Sequence, residues 1–133
     1  MKRLLILLTL VSQPAWAEWV RLGQANTGAP DSFTSYLDPA TVRKTSNGRR
    51  AWLMTSFEKP QTFFGKDYLS VRQLLEFDCV GERVRSLQVV INAGKTGDGK
   101  LVESSDDPSN WNVSPPGSIW DTQLKAVCRM PLK

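Results

Sequence analysis

The chain carries few side chains whose types and spacing would support catalysis. It contains no histidine, so neither a Ser–His nor a Cys–His nucleophile pair can form. The acids Glu103, Asp106 and Asp107 cluster in the segment VESSDDPSNW, and two carboxylates beside an aromatic residue can cleave a sugar. Acids in a stretch rich in Ser, Asp and Pro are more typical of a solvated turn. We therefore expect a protein that is not an enzyme, and a carboxylate hydrolase is the last of three functional interpretations.

The residue types also argue against a bound cofactor. The acidic segment lacks the regular ligand spacing of a calcium loop, and two distant cysteines without histidine supply too few ligands for zinc. The segment GKTGDGK lacks the spacing of a phosphate-binding loop and lies between strand-like segments. We expect neither a metal nor an organic cofactor, and a hairpin turn at these glycines.

Basic side chains surround the dipeptide Asn47-Gly48, which is a strong hairpin signal. They are Arg43, Lys44, Arg49 and Arg50. Such a patch would suit a sulfated glycan, an acidic protein or a lipid headgroup. The alternative is that the charges only solvate the hairpin and discourage edge-to-edge pairing of sheets. Arg49 and Arg50 are included among the expected binding residues.

Two aromatic residues, Phe63 and Phe64, follow Lys59-Pro60 in a segment that is predicted to be a loop. Large apolar side chains in loops often mark a contact surface, although the loop can also fold back and fill the core. Together with Lys66, these two residues are expected to contact a protein or glycan ligand. Trp52 and Trp120, in contrast, fit the periodicity of core positions.

The N-terminus has the three parts of a secretory signal peptide. Lys2 and Arg3 precede an apolar stretch at 4–11, and Ala15-Trp16-Ala17 offers small residues at the positions that a signal peptidase reads. The apolar stretch is shorter than the about 20 residues that span a bilayer. We expect cleavage between Ala17 and Glu18, with no transmembrane segment after residues 1–17 are removed.

The remaining residues, 18–133, have the length of one domain with a single core. Loss of the leader lowers the formal net charge of +4 by two positive charges. So mild a charge, together with export, argues against nucleic-acid binding. Because no cysteine lies near the cleavage point, a lipid anchor is not expected. We place the domain in the periplasm or on the outer cell surface.

The two cysteines, Cys79 and Cys128, both lie in the exported part. An even pair in a small exported domain predicts a disulfide. It closes a loop of about 50 residues, for which the chain-entropy treatment gives a stabilisation of roughly 4 kcal/mol. A redox pair would have a closer spacing, such as C-x-x-C. We therefore expect a structural bond.

Alternation of apolar and polar residues predicts strands through most of the chain. Before Gly81-Glu82, one strand places Val71, Gln73, Leu75, Phe77 and Cys79 on a common face. After that turn, the next places Arg85, Leu87, Val89 and Ile91 together. The tight connection implies antiparallel pairing. The predicted strands are 19–22, 33–37, 50–57, 68–79, 83–92 and 100–104, with a short segment at 41–44 before the Asn47-Gly48 turn.

The last element is predicted to be a helix. Pro115-Pro116-Gly117 ends any sheet, and Ser118 followed three residues later by Asp121 resembles a capping box. Trp120, Leu124, Val127 and Cys128 then recur at helical spacing. The helix would lie on the sheet with Cys128 bonded to Cys79. The fold class is therefore α+β: a single antiparallel β-sheet with one C-terminal helix tethered by a disulfide.

Several segments in a fixed order resemble the surface-adhesin protein E family of Gram-negative bacteria. They are EWVRLG, SYLDPATVRK, AWLMTSFEKPQ, YLSVRQLLEFDC, SDDPSNWNVSPPGS and LKAVC, and they cover the chain from about Trp19 to Cys128. The resemblance implies a twisted antiparallel sheet and a helix tied to it by the cysteine pair. It also implies a surface protein that forms homodimers and binds host matrix proteins and plasminogen.

The residues and the resemblance together favour a non-enzymatic exported binding module, an adhesin-like protein that contacts host or envelope proteins. The second interpretation is a periplasmic envelope accessory protein that never meets a host. A further expectation concerns Lys133, because a C-terminal lysine can engage the lysine-binding domains of plasminogen; the last four residues can equally form a frayed tail.

Overall fold

The computed structural model describes residues 18–132. The predicted signal peptide, the Ala17 side of its cleavage point and Lys133 lie outside the described residues. Within them there are eight strands and one α-helix, α1, at Ile119–Arg129. The strands are β1 Val20–Ala25, β2 Phe33–Leu37, β3 Arg43–Lys44, β4 Arg49–Phe63, β5 Lys66–Asp78, β6 Arg83–Asn92, β7 Leu101–Ser105 and β8 Asn112–Val113.

All strand pairs in this part of the chain are antiparallel and form one open sheet. The order across the sheet is β1-β2-β4-β5-β6-β7, while β3 pairs with β4 and β8 pairs with β6. The predicted fold class is confirmed. The Asn47-Gly48 hairpin is also confirmed, since Lys44 pairs with Arg49. Gly48 lies so close to the carbonyl group of Phe77 that a Cβ atom would have no room.

The β4–β5 hairpin is longer than the sequence pattern predicts. The prediction of a loop around Phe63 is wrong, because β4 runs to Phe63 and β5 begins at Lys66. Only Phe64 and Gly65 form the turn, with φ angles of 46° and 77°, as a two-residue hairpin turn requires. A register shift between Ser56 and Gln61 accommodates Pro60, whose missing N–H hid the strand in the sequence.

The outer part of this hairpin, residues 61–68, extends beyond the rest of the sheet. Gln61, Thr62 and Phe63 pair with Tyr68, Asp67 and Lys66. Pairing of β4 with β2 ends at Phe57, and pairing of β5 with β6 begins at Ser70. Within the described residues, these outer positions therefore have only each other as ladder partners. We call residues 61–68 the hairpin arm, and Phe63, Phe64 and Lys66 the hairpin tip.

A bulge in β6 overturns the predicted face of that strand. Leu74 pairs with Gln88, whereas Leu75 pairs with Ser86, so Leu87 is an extra residue. Because one inserted residue reverses the side to which the following side chains point, Arg85 and Val89 lie on opposite faces. The prediction that they share one face is wrong, and Arg85 lies instead beside Glu76 on the side away from the helix.

The core lies between the helix and one face of the sheet. Its buried residues come from β2, β4, β5, the segment before β3 and α1: Leu37, Val42, Ala51, Leu53, Leu75, Phe77, Leu124 and Val127. Leu124 and Val127 confirm the predicted apolar stripe. Trp120 does not belong to it, because half of its surface (50%) is exposed. Its position at the edge of the stripe, one turn before Leu124, leaves the indole beside the sheet and not beneath the helix.

The start of α1 forms much of the predicted capping box. Ser118 Oγ accepts a hydrogen bond from the Asp121 amide at 3.2 Å. The Asp121 carboxylate accepts one from the Gly117 amide at 3.1 Å and one from Lys125 Nζ at 2.8 Å. Both partners lower the pKa of Asp121, the Lys125 hydrogen bond most and the Gly117 amide next. The helix N-terminus is therefore fixed by residues on both sides of its first turn.

The other end of α1 is fastened to the sheet twice. Cys79 and Cys128 form the predicted disulfide, with Cα atoms 5.9 Å apart. Arg49 Nη1 donates hydrogen bonds to the carbonyl oxygen of Val127 at 2.9 Å and to that of Met130. These carbonyls lie at the helix C-terminus, where no further turn supplies an N–H donor. A covalent and a charged contact therefore hold the last turn.

Candidate functional site

The structure separates the predicted binding residues into two places. Arg49 and Arg50 begin β4, whereas Phe63 ends it and Lys66 begins β5. At the usual rise of about 3.3 Å per residue, the two ends of β4 are roughly 45 Å apart along the strand. One small ligand cannot contact both ends, so the basic end and the hairpin tip are distinct surfaces.

At the basic end, Arg49 is occupied within the fold. Its guanidinium binds the two helix carbonyls described above. Arg43 donates to the carbonyl oxygens of Ala40 and Val42, both at 2.8 Å. Arg50 and Lys44 are exposed, which leaves a small solvated basic patch rather than a dense one.

The hairpin tip presents apolar surface to solvent. Phe64 is 90% exposed because the turn position that it occupies directs its side chain away from the sheet. The rings of Phe63 and Phe64 pack edge to face with centroids 4.7 Å apart, a favoured aromatic geometry. Lys66, paired with Phe63 across the strands, adds a cation next to them. This arrangement holds no catalytic group; it can anchor a partner by burying aromatic surface.

The hairpin arm is positioned by contacts at its base. Gln61 Nε2 donates to the carbonyl oxygens of Pro30 at 2.9 Å and Lys59 at 3.0 Å. Phe57 packs edge to face against Phe33 on one side and Tyr68 on the other, each at 5.8 Å between centroids. These three aromatic rings pack together at the base of the hairpin arm. The hairpin tip therefore lies at the end of an element that the sheet supports.

The three candidate carboxylates lie elsewhere. Glu103 is on β7, and Asp106 and Asp107 follow it; all three are exposed. Asp106 borders a shallow groove of about 320 Å³ that has no aromatic lining. No group of three or more metal-binding side chains suited to an ion occurs within residues 18–132. The arrangement therefore gives the hydrolase interpretation no geometric support.

The sequence patterns did not predict a groove that lies between the first half of α1 and the sheet. Its volume is about 500 Å³. Trp120 and Gln123 line it from the helix, and their spacing of three residues, which puts them on one side of a helix, was the available signal. Its other lining residues are Phe33, Thr55, Gln73, Leu75, Val84, Arg85, Ser86, Ser109, Asn112, Val113 and Pro115.

Comparison with known protein families shows to which family the chain belongs. The family described as Surface-adhesin protein E matches residues 19–129, which is nearly all of the described part. The chain belongs to the surface-adhesin protein E family. Neither the curated proteins nor the solved structures contain a match.

Membership in the surface-adhesin protein E family implies an exported protein and suggests a non-enzymatic adhesin. It confirms the resemblance drawn from the segment order. Over residues 18–132, the single helix is too short and too polar to cross a membrane. The family does not by itself assign a ligand to either the hairpin tip or the groove.

Proposed function

We propose that the protein is a non-enzymatic exported binding module that contacts a host or envelope protein through its hairpin tip. The observation that carries the proposal is the 90% exposure of Phe64 at the end of an arm that projects beyond the sheet. Burying a Phe side chain contributes about 1.5–3 kcal/mol. A partner that covers the tip gains this free energy.

The geometry of the tip favours tight contact for its size. Phe63 and Phe64 already touch, and their turn has only two residues. Little conformational freedom is therefore lost when a partner closes over them. Lys66 supplies a charge at the rim, where it guides orientation and encounter more than affinity.

Family membership supports the choice of partner class. A surface adhesin meets host matrix proteins, and we propose such proteins and plasminogen as the first ligands to test, with the domain on the outer cell surface. Self-association through the same tip is the second use that this surface supports, and it would produce a homodimer. A periplasmic domain would instead present the tip to another envelope protein.

Site-specific photocrosslinking in intact cells tests the proposal. A benzophenone derivative of phenylalanine replaces Phe64, and the control carries it at Val80, which is 97% exposed on the β5–β6 turn. We expect adducts from position 64, with added matrix protein if the domain is outside and with an envelope protein if it is not. An adduct of twice the chain mass would assign the tip to self-association. No adduct above the Val80 control would contradict the proposal.

A second experiment determines on which side of the outer membrane the domain lies. Protease added to intact cells digests a surface domain and spares a periplasmic one. We expect loss of the full-length band before any loss of a periplasmic marker. Full protection of the domain would remove the host contact and leave the envelope partner.

A further inference from the structure

The groove beside α1 contains a buried polar group without a partner. Gln123 is only 6% exposed. Its Nε2 donates to the Ser35 hydroxyl at 2.9 Å, while its Oε1 has no hydrogen-bond partner among the described residues. Buried polar atoms are nearly always paired, so an orphaned one calls for an explanation. We propose that this groove binds a neutral sugar ring, which supplies the missing hydrogen bond.

A hydroxyl group is the ligand group that suits this glutamine. If the amide is turned by half a rotation, Oε1 accepts a hydrogen bond from the Ser35 hydroxyl. The free atom is then the donor Nε2 instead of the acceptor Oε1. A sugar hydroxyl both donates and accepts, so it can pair with either atom. The free oxygen is covered in the unliganded protein. Binding therefore requires the amide to turn about its soft terminal torsion and to exchange its Ser35 hydrogen bond for one to the sugar.

A second amide lies in the same groove. Gln73 lines it from β5, and its side chain makes no hydrogen bond within residues 18–132. Two amides from opposite walls, one on the helix and one on the sheet, are thus available to a ligand with several hydroxyl groups. Convergent polar side chains of this kind fix the orientation of a small ligand in its pocket.

The charges around the groove indicate a neutral ligand. Arg85 is the one lining residue with an ionisable side chain, and that side chain points to the face of the sheet away from the helix. Its guanidinium pairs with Glu76 at 2.7 Å and lies over the Trp111 ring, 4.7 Å from the centroid. Because this cation is already neutralised, the groove has no free charge with which to recognise a phosphate, a sulfate or an acidic side chain.

The apolar part of the lining suits the flat face of a sugar ring. Trp120 is half exposed and lines the groove from the helix. An indole surface with a polar edge contacts the C–H groups of a pyranose while leaving its hydroxyls to the amides. Phe33, Leu75 and Val84 continue the apolar wall along the sheet.

The nearby backbone favours a sugar over a peptide. A peptide usually adds as a strand to a free sheet edge. Beside the groove that edge is taken: Ser109 donates to Ser86 O at 2.8 Å, Ser86 donates to Ser109 Oγ at 2.9 Å, and Val84 pairs with Asn112. Side-chain amides and an aromatic surface remain. This site is separate from the hairpin tip and does not depend on the function proposed for it.

The test uses saturation-transfer NMR on the exported domain, residues 18–133, with glucose, galactose, N-acetylglucosamine and lactose as probes. We expect saturable transfer to at least one sugar. Trp120→Ala and Gln123→Leu should each weaken that binding at least tenfold, while Gln88→Leu, an exposed control on the other face, leaves it unchanged. Gln123→Leu removes the unpaired oxygen but also the donor to the Ser35 hydroxyl, which is fully buried, so its unfolding midpoint should fall modestly while the domain stays folded under the conditions of the NMR measurement.

Two results would overturn the assignment. The first is the absence of saturable transfer to every sugar in the panel. The second is binding that Trp120→Ala and Gln123→Leu leave intact. Transfer to an uncharged tripeptide where no sugar shows it would assign the groove to a peptide and also reject the proposal.

Discussion

Arg49 Nη1 donates a hydrogen bond to the carbonyl oxygen of Val127 over 2.9 Å, joining the first residue of β4 to the last turn of α1. The same guanidinium reaches the Met130 carbonyl, and Cys128 between them is bonded to Cys79. Three contacts therefore converge on one helix end, where the carbonyl oxygens carry partial negative charge. An arginine that the sequence marks as a binding candidate thus has a stabilising role.

Replacement of Arg49 by alanine should reduce the free energy of unfolding by about 1.5–3 kcal/mol, the range for hydrogen bonds to a charged group. The loss arises because two carbonyls at the helix end lose their donor. Urea denaturation followed by circular dichroism measures it. Arg50→Ala is the matched control, since Arg50 is exposed, and it should change stability by no more than about 0.5 kcal/mol. Equal effects of the two substitutions would contradict this role.

Removal of the disulfide should destabilise the domain more strongly. The bond joins residues 49 positions apart, and closing a loop of that length is worth about 4 kcal/mol in the chain-entropy treatment. We expect Cys79→Ser with Cys128→Ser to lower the free energy of unfolding by about 2–5 kcal/mol. Reductant should reproduce the loss in wild-type protein and have no effect on the double variant. A wild-type urea midpoint that reductant does not move would show that the bond contributes nothing.

The helix start should make stability depend on pH in the acid range. Lys125 and the Gly117 amide lower the pKa of Asp121 below its unfolded value of about 4. The stabilisation is therefore complete above that value and is lost as pH falls through the folded pKa. The stability difference between wild type and Asp121→Asn should be constant above about pH 5 and narrow below about pH 4.

Urea midpoints measured from acid to neutral pH test this dependence. Asp106→Asn is a suitable control because Asp106 is exposed and has no ion pair within residues 18–132. The narrowing for Asp121→Asn should exceed any change that this control shows over the same range. A flat difference for Asp121→Asn would mean that the carboxylate has the same pKa in both states.

The sequence predicts the framework well because its signals are local. Alternation marks the paired strands, Asn47-Gly48 marks the first tight turn, and Ser118 marks the start of the helix. Cys79 and Cys128 reveal the one long-range bond because they have no competing partner. Each of these signals depends on residue types within a few positions, or on the count of a rare residue.

The wrong predictions have a common cause, because each depends on contacts between different elements of the chain. The extra residue Leu87 reverses the face of β6 only because of its register against β5, which no single-strand pattern contains. Pro60 reads as a strand end, yet a register shift in the β4–β5 pair absorbs it. Trp120 lies at the edge of the apolar stripe, and only the placement of the helix on the sheet decides that it lines a groove.

The candidate surfaces show the same contrast between what local sequence signals predict and what strand pairing decides. The sequence predicts a contact surface at Phe63, Phe64 and Lys66, and the structure places these residues together at the hairpin tip. The sequence does not reveal how far the hairpin tip lies from Arg50, because the length of β4 is set by its pairing with β5. The orientation of the Gln123 amide, with Nε2 bonded to Ser35 and Oε1 unpaired, depends on a contact between residues 88 positions apart, and so it has no sequence signal of its own.

Affinities of matched hairpin-tip variants show whether Phe64 contacts the partner. Residues 18–133 are titrated against immobilised host matrix proteins and plasminogen as wild type, Phe64→Ser and Val80→Ser. Both replaced side chains are almost fully exposed, so both variants should fold with wild-type stability. We predict that Phe64→Ser weakens binding about ten- to a hundredfold, the equivalent of about 1.5–3 kcal/mol, and that Val80→Ser leaves it unchanged. Equal affinities for Phe64→Ser and wild type would contradict the account.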